Sequence, residues 1–149
     1  MSVVSRLLTL VDRVSAPLEV SAHCDIPCGV YAPEQARIEA ESCLRMIQKY
    51  HDSDDEVFRA RCIGVKEERA DLAKHHIYVL WSDYFKPPHV EQFSDLHDVC
   101  WQAAKQCSAV KHTMDADAAQ KLLDLIDRIE QMWKATGGLE TTRANGRPS

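Results

Sequence analysis

The segment Pro33-Glu34-Gln35-Ala36-Arg37-Ile38-Glu39-Ala40-Glu41-Ser42-Cys43-Leu44-Arg45-Met46-Ile47-Gln48-Lys49-Tyr50 decides the fold class. Ala36, Ala40, Cys43, Leu44, Ile47 and Tyr50 recur every three or four positions, which puts them on one face of a helix. Pro33 suits the first helical turn, and Glu34 stands beside the positive end of the helix dipole. His51-Asp52-Ser53-Asp54-Asp55 is a polar break that supplies caps for the next helix. That second helix is expected from about Glu56 to about Leu80, burying Val57, Phe58, Cys62, Val65, Leu72, Ala73, His76 and Leu80. Gly64 lies inside it at a cost of about 1 kcal/mol relative to Ala, and is expected to admit a close helix neighbour. Trp81-Ser82-Asp83-Tyr84-Phe85-Lys86-Pro87-Pro88-His89 cannot be helical throughout, because the prolines remove donors and restrict their neighbours. Ser94 is expected to cap a third helix whose inner face carries Leu96, Cys100, Ala103, Ala104, Cys107 and Val110. A fourth runs from about Ala116 to about Thr136, burying Leu122, Leu125, Ile126, Ile129 and Trp133 before Gly137-Gly138 stops it. Four amphipathic helices with short connections predict an all-α, antiparallel four-helix bundle.

Composition narrows the function. The 149 residues suit one domain, and 45% apolar and 28% charged content is ordinary for a globular chain. A net charge of -5, with no Lys/Arg-rich run, argues against a nucleic-acid partner. No apolar run reaches the ~20 residues that span a bilayer, so no membrane partner is expected. Cys43, Cys62, Cys100 and Cys107 fall in the amphipathic segments and read as small buried hydrophobes. Only Cys24 and Cys28 lie among turn residues.

Those two belong to His23-Cys24-Asp25-Ile26-Pro27-Cys28-Gly29-Val30-Tyr31. Two thiols four positions apart, with Pro27 just before the second, form a compact hook for one soft metal ion. The hook precedes the first helix and is expected at one end of the bundle. In residues 1–22 the apolar run Leu7-Leu8-Thr9-Leu10-Val11 is broken by Asp12-Arg13, too short for a secretory core of roughly 7–15 residues. Residues 1–22 are therefore expected to be a cytoplasmic propeptide, cut after Ala22 by a processing protease. His23 then carries a free amine as well as its imidazole. Two other readings stay open. Val20-Ser21-Ala22 imitates a signal-peptide cleavage site, and the stripe Val3, Val4, Leu7, Leu8, Val11 and Val14 would suit a permanent N-terminal helix. Residues 139–149 are expected to be a disordered tail.

Competing motifs are missing. The chain has no Glu-x-x-His di-iron pair, no His-Glu-x-x-His, no phosphate-cradling glycine loop and no Gly-x-Ser-x-Gly. His75 and His76 are neighbours on a helix, point in different directions and do not chelate together.

The pattern His-Cys-x-x-Pro-Cys-Gly-x-Tyr closely resembles the metal hook of nickel-dependent superoxide dismutases. The likeness runs from His23 to about Trp133, through Gln35–Ser42, Ala73-Lys74-His75-His76 and Trp81–His89. It implies a four-helix-bundle domain over residues 23–138, a removed propeptide, a homohexamer and one nickel ion per subunit. It also implies conversion of superoxide to dioxygen and hydrogen peroxide by Ni(II)/Ni(III) cycling. The family's metal ligands match His23, Cys24 and Cys28; its tyrosines near the metal match Tyr31 and Tyr84. The acid and arginine that hold the histidine ring match Glu39 and Arg69, outer partners that orient a ligand and tune the metal.

Donor chemistry agrees with that likeness. The freed amine, the deprotonated Cys24 backbone nitrogen and two thiolates make a planar set that suits nickel(II) or copper(II), whereas tetrahedral zinc normally takes four protein ligands. Thiolates and an anionic amide stabilise the higher oxidation state, and the His23 imidazole is expected to add axially to it. Asp25 sits in the hook's turn, placed to accept backbone donors or to shape a subunit contact. Tyr31 and Tyr84 are expected to exclude larger anions and order water, with simple packing as the other reading. Lys86 is expected to attract the anion locally, or else to be merely solvated. Two departures stand out: Ala32 replaces a commonly acidic residue, and the four additional cysteines are redox liabilities. The competing functions are a non-catalytic nickel- or copper-binding protein and a thiol redox module built on Cys24 and Cys28.

Overall fold

The computed structural model describes residues 28–140. Its elements are α1 (Glu34–His51), α2 (Glu56–Val79), a π-helical turn (Leu80–Tyr84), α3 (Pro87–Gln92), α4 (Leu96–His112) and α5 (Ala116–Ala135). Helices α1 and α4 each pack against both α2 and α5, which closes a ring of four long helices. Cross-helix partners run in opposite chain directions. On α1 and α2, Glu39 meets Arg69 while the later Cys43 meets the earlier Lys66. Along α2 and the π turn, Lys66, Lys74 and Trp81 meet Lys111, Ser108 and His97 of α4 in turn. Asp95 meets Arg128 and Gln106 meets Ala118 across α4 and α5. The antiparallel four-helix bundle predicted from the spacing is therefore present, and no strand occurs among the described residues. No helix among them is long and apolar enough to cross a membrane.

The inner face of α1 is Ala36, Ala40, Cys43 and Ile47, as its spacing predicts. The inner face of α2 keeps the expected Cys62 and Ala73 but otherwise differs from expectation. Cys62, Lys66, Ala70, Ala73 and Ile77 are buried there, while Val57 is 72% exposed and Phe58 and Val65 also face outward. The true stripe passes through a lysine and two alanines, so side-chain size misdirects the reading. Lys66 is tolerated inside because its Nζ donates to the carbonyls of Lys111 (2.7 Å) and Thr113 (2.8 Å). These belong to the C-terminal end of α4, where orphan carbonyls and the negative dipole end favour a cation. Gly64 does not serve close packing: a Cβ there would meet nothing within 4 Å.

The remaining helices follow their sequence signals more closely. Cys100, Cys107, Ala119, Leu122, Ile126, Ile129 and Met132 fill the centre. All four cysteines in helices are buried, as expected of small apolar groups. Asp55 caps α2 by accepting from the Val57 and Phe58 N–H groups, and Asp115 caps α5. Ser94 is not the cap of α4; that helix starts at Leu96 after Asp95, whose carboxylate instead pairs with Arg128 at 2.9 Å. Pro87 and Pro88 open the short α3 rather than lying in a loop, the placement their missing donors permit.

Candidate metal centre

His23, Cys24 and Asp25 lie outside the described residues, so the described part of the hook begins at Cys28. Cys28 is exposed, and its Sγ accepts the Val30 N–H at 3.5 Å. Gly29 makes this turn with φ of 69°, a left-handed conformation that side chains disfavour. A backbone donor aimed at the sulfur suits a thiolate held by a soft metal, since such hydrogen bonds tune a ligand's charge. Cys28 is the one expected ligand that falls among the described residues. Within the described residues no group of three or more His, Cys, Asp or Glu side chains is arranged to hold a metal.

Three residues on, Tyr31 turns its ring into the bundle end, where it is buried against Tyr84 with centroids 6.2 Å apart. The π turn places Tyr84. The Phe85 N–H donates to Leu80 O, five residues back, at 3.0 Å, and Phe85 then leaves the helix in an extended conformation. Such wide turns re-aim side chains and recur at functional sites. Tyr84 stacks on His89 at 5.6 Å, touches Phe85 and Trp133, and reaches the Thr136 hydroxyl at 2.9 Å. Burial pushes the Tyr84 phenol up from its ordinary value. The ring is therefore neutral at physiological pH. His89 Nδ1 accepts the Lys86 N–H at 3.3 Å, which leaves the proton of the neutral ring on Nε2. Burial, then the Lys86 charge, hold the His89 imidazolium below its ordinary range.

Glu39 and Arg69 form an ion pair across α1 and α2 at 3.3 Å, with the carboxylate 15% exposed. Lys86 is exposed at the start of α3, close along the chain to Tyr84. Ala32 is half-buried against the core. The structure thus brings Tyr31 together with Tyr84, and Glu39 together with Arg69. Sequence reading misses His89, Trp133 and Thr136 as the frame of Tyr84. The aromatic density of residues 81–89 signals the first, whereas nothing local marks a threonine at a helix end.

Comparison with known proteins bears on this arrangement. The family described as nickel-containing superoxide dismutase matches residues 18–137. This chain belongs to the nickel-containing superoxide dismutase family. It is 50% identical over 128 residues to a nickel superoxide dismutase of Streptomyces seoulensis, covering 85% of this chain and 98% of the relative. A second nickel superoxide dismutase, from Streptomyces coelicolor, is 49% identical with the same coverage. The native crystal structure of a nickel superoxide dismutase superposes with a TM-score of 0.74 at 50% identity, over 76% of this chain and 98% of that one. The nickel superoxide dismutase likeness therefore covers nearly the whole length of those relatives rather than a fragment. Membership in this family does not favour the thiol redox module or the non-catalytic metal buffer.

Proposed function

We propose that this chain disproportionates superoxide, converting two anions and two protons to dioxygen and hydrogen peroxide. Nickel would be held by His23, Cys24 and Cys28 after residues 1–22 are removed. What carries the reading is family membership over nearly the full length of its relatives, joined to the His-Cys-x-x-Pro-Cys hook. Bound nickel supplies a one-electron couple that can both accept an electron from superoxide and return one. The chain's own residues do the rest. Cys24 and Cys28 contribute negative sulfur, and the Val30 N–H steadies the Cys28 sulfur. Glu39 and Arg69, already paired, orient the His23 ring. Tyr31 and Tyr84 form an aromatic floor that leaves room for a small anion and excludes larger ones. Lys86 adds local positive charge in an acidic molecule. Asp25 shapes the hook turn. Processing by a protease after Ala22, assembly as a homohexamer and residence in the cytoplasm complete the proposal.

Nickel analysis, N-terminal mass and superoxide removal on the purified protein test it together. The expected result is a chain beginning at His23 with one nickel per subunit and rapid removal. Cys24→Ser or Cys28→Ser is expected to abolish nickel-dependent activity, and His23→Gln to retain nickel but lose most turnover. Full activity in a chain that still carries residues 1–22 would refute the ligand assignment.

A further inference from the structure

The end of α5 makes a second set of contacts to Tyr84. The Thr136 hydroxyl lies 2.9 Å from the Met132 carbonyl and 3.1 Å from the Trp133 carbonyl, so its single proton goes to backbone. Its oxygen is left to accept. The Tyr84 hydroxyl, 2.9 Å away, has Thr136 Oγ1 as its nearest partner, with the Trp133 and Thr136 carbonyls at 3.4 Å. Every one of those carbonyls can only accept, so Tyr84 donates. The turn beyond is fixed independently: Gly137 has φ of 77°, and a Cβ on Gly138 would collide with the Trp133 indole. That indole in turn contacts the Tyr84 ring.

We infer that Thr136 is a positioning residue for the reaction, fixing the Tyr84 ring by accepting its phenol proton and so making the C-terminal turn of α5 part of the site. The inference rests on the proposed role of Tyr84 in superoxide turnover. Thr136→Val keeps the shape and removes the acceptor; Thr136→Ser restores it. In nickel-loaded protein labelled with 13Cζ-tyrosine, Thr136→Val is expected to shift the Tyr84 resonance. It is also expected to lower kcat about fivefold, the effect of one lost hydrogen bond, with nickel content unchanged. Thr136→Ser is expected to restore both readouts. An unmoved Tyr84 resonance in Thr136→Val overturns the inference. A moved resonance with unchanged kcat also overturns it. Absence of superoxide removal in the unsubstituted, nickel-loaded protein instead overturns the proposed function, while the resonance still reports whether the Tyr84–Thr136 bond exists.

Discussion

At the scale of single residues, charges placed inside the bundle are answered by specific partners. Lys66 is 1% exposed and holds two carbonyls at the end of α4. Lys66→Met keeps the volume but leaves those carbonyls unsatisfied, and urea unfolding is expected to show a loss of about 2 kcal/mol. Glu130 is held below its ordinary carboxyl range, first by Lys134 and then by Arg37. A carboxyl depressed in the folded state stabilises fully above its unfolded pKa and loses that contribution as pH falls through the folded value. Glu130→Gln is therefore expected to flatten the fall in melting temperature below about pH 4.5, and an unchanged acid profile would remove Glu130 as its source. Burial pushes the Cys43, Cys100 and Cys107 thiols up to about 12. Since thiolate is the reactive form, these three are expected to resist iodoacetamide at neutral pH in folded protein and to label fully in urea. Mass spectrometry distinguishes the two, and rapid labelling of folded protein would contradict their placement.

Among elements, the helices that read clearly are those whose inner faces are wholly apolar and regularly spaced. The positions of α1 and α5 follow from apolar residues three and four apart, and most of the expected face is buried, with Leu44, Tyr50 and Leu125 only half-buried at its margin. Helix α2 is legible in extent but only partly in face: Cys62 and Ala73 are buried as expected, yet Lys66 and Ala70 share their stripe while Val57 and Val65 lie outside it. The π turn at Leu80–Tyr84 carries no sequence mark at all; it arises where the chain must leave α2 before Pro87 and still aim Tyr84 inward. The start of α2 is the most local of these features. Asp55 accepts two backbone N–H groups there, at 2.9 and 3.1 Å. Asp55→Ala is expected to cost about 1 kcal/mol, and Asp55→Asn to recover most of it. Equal melting temperatures for all three proteins would show that the cap contributes nothing.

On the scale of the whole molecule, the hook motif is the most legible feature and the geometry around it the least. The motif and its family likeness single out Cys28, Tyr31 and Tyr84, yet the contacts that set Tyr84 come from residue 136, far away in the chain. No periodicity encodes such a pairing. Nor does periodicity explain Val57, Ile38 and Trp101, which are more than half exposed on the isolated subunit. Assembly into the proposed homohexamer is expected to cover part of this apolar surface, and light scattering of the nickel-loaded protein measures the mass directly. A monomer at micromolar concentration would remove the hexamer from the proposal.

The sealed thiols of the bundle interior carry a consequence for how such a molecule wears out. In the proposed reaction, peroxide released beside the exposed Cys28 would reach that thiol long before it reached the buried Cys43, Cys100 or Cys107. Ageing should thus silence the protein while its scaffold stays intact, leaving spent chains that melt normally and, in the proposed homohexamer, still occupy their places among working ones.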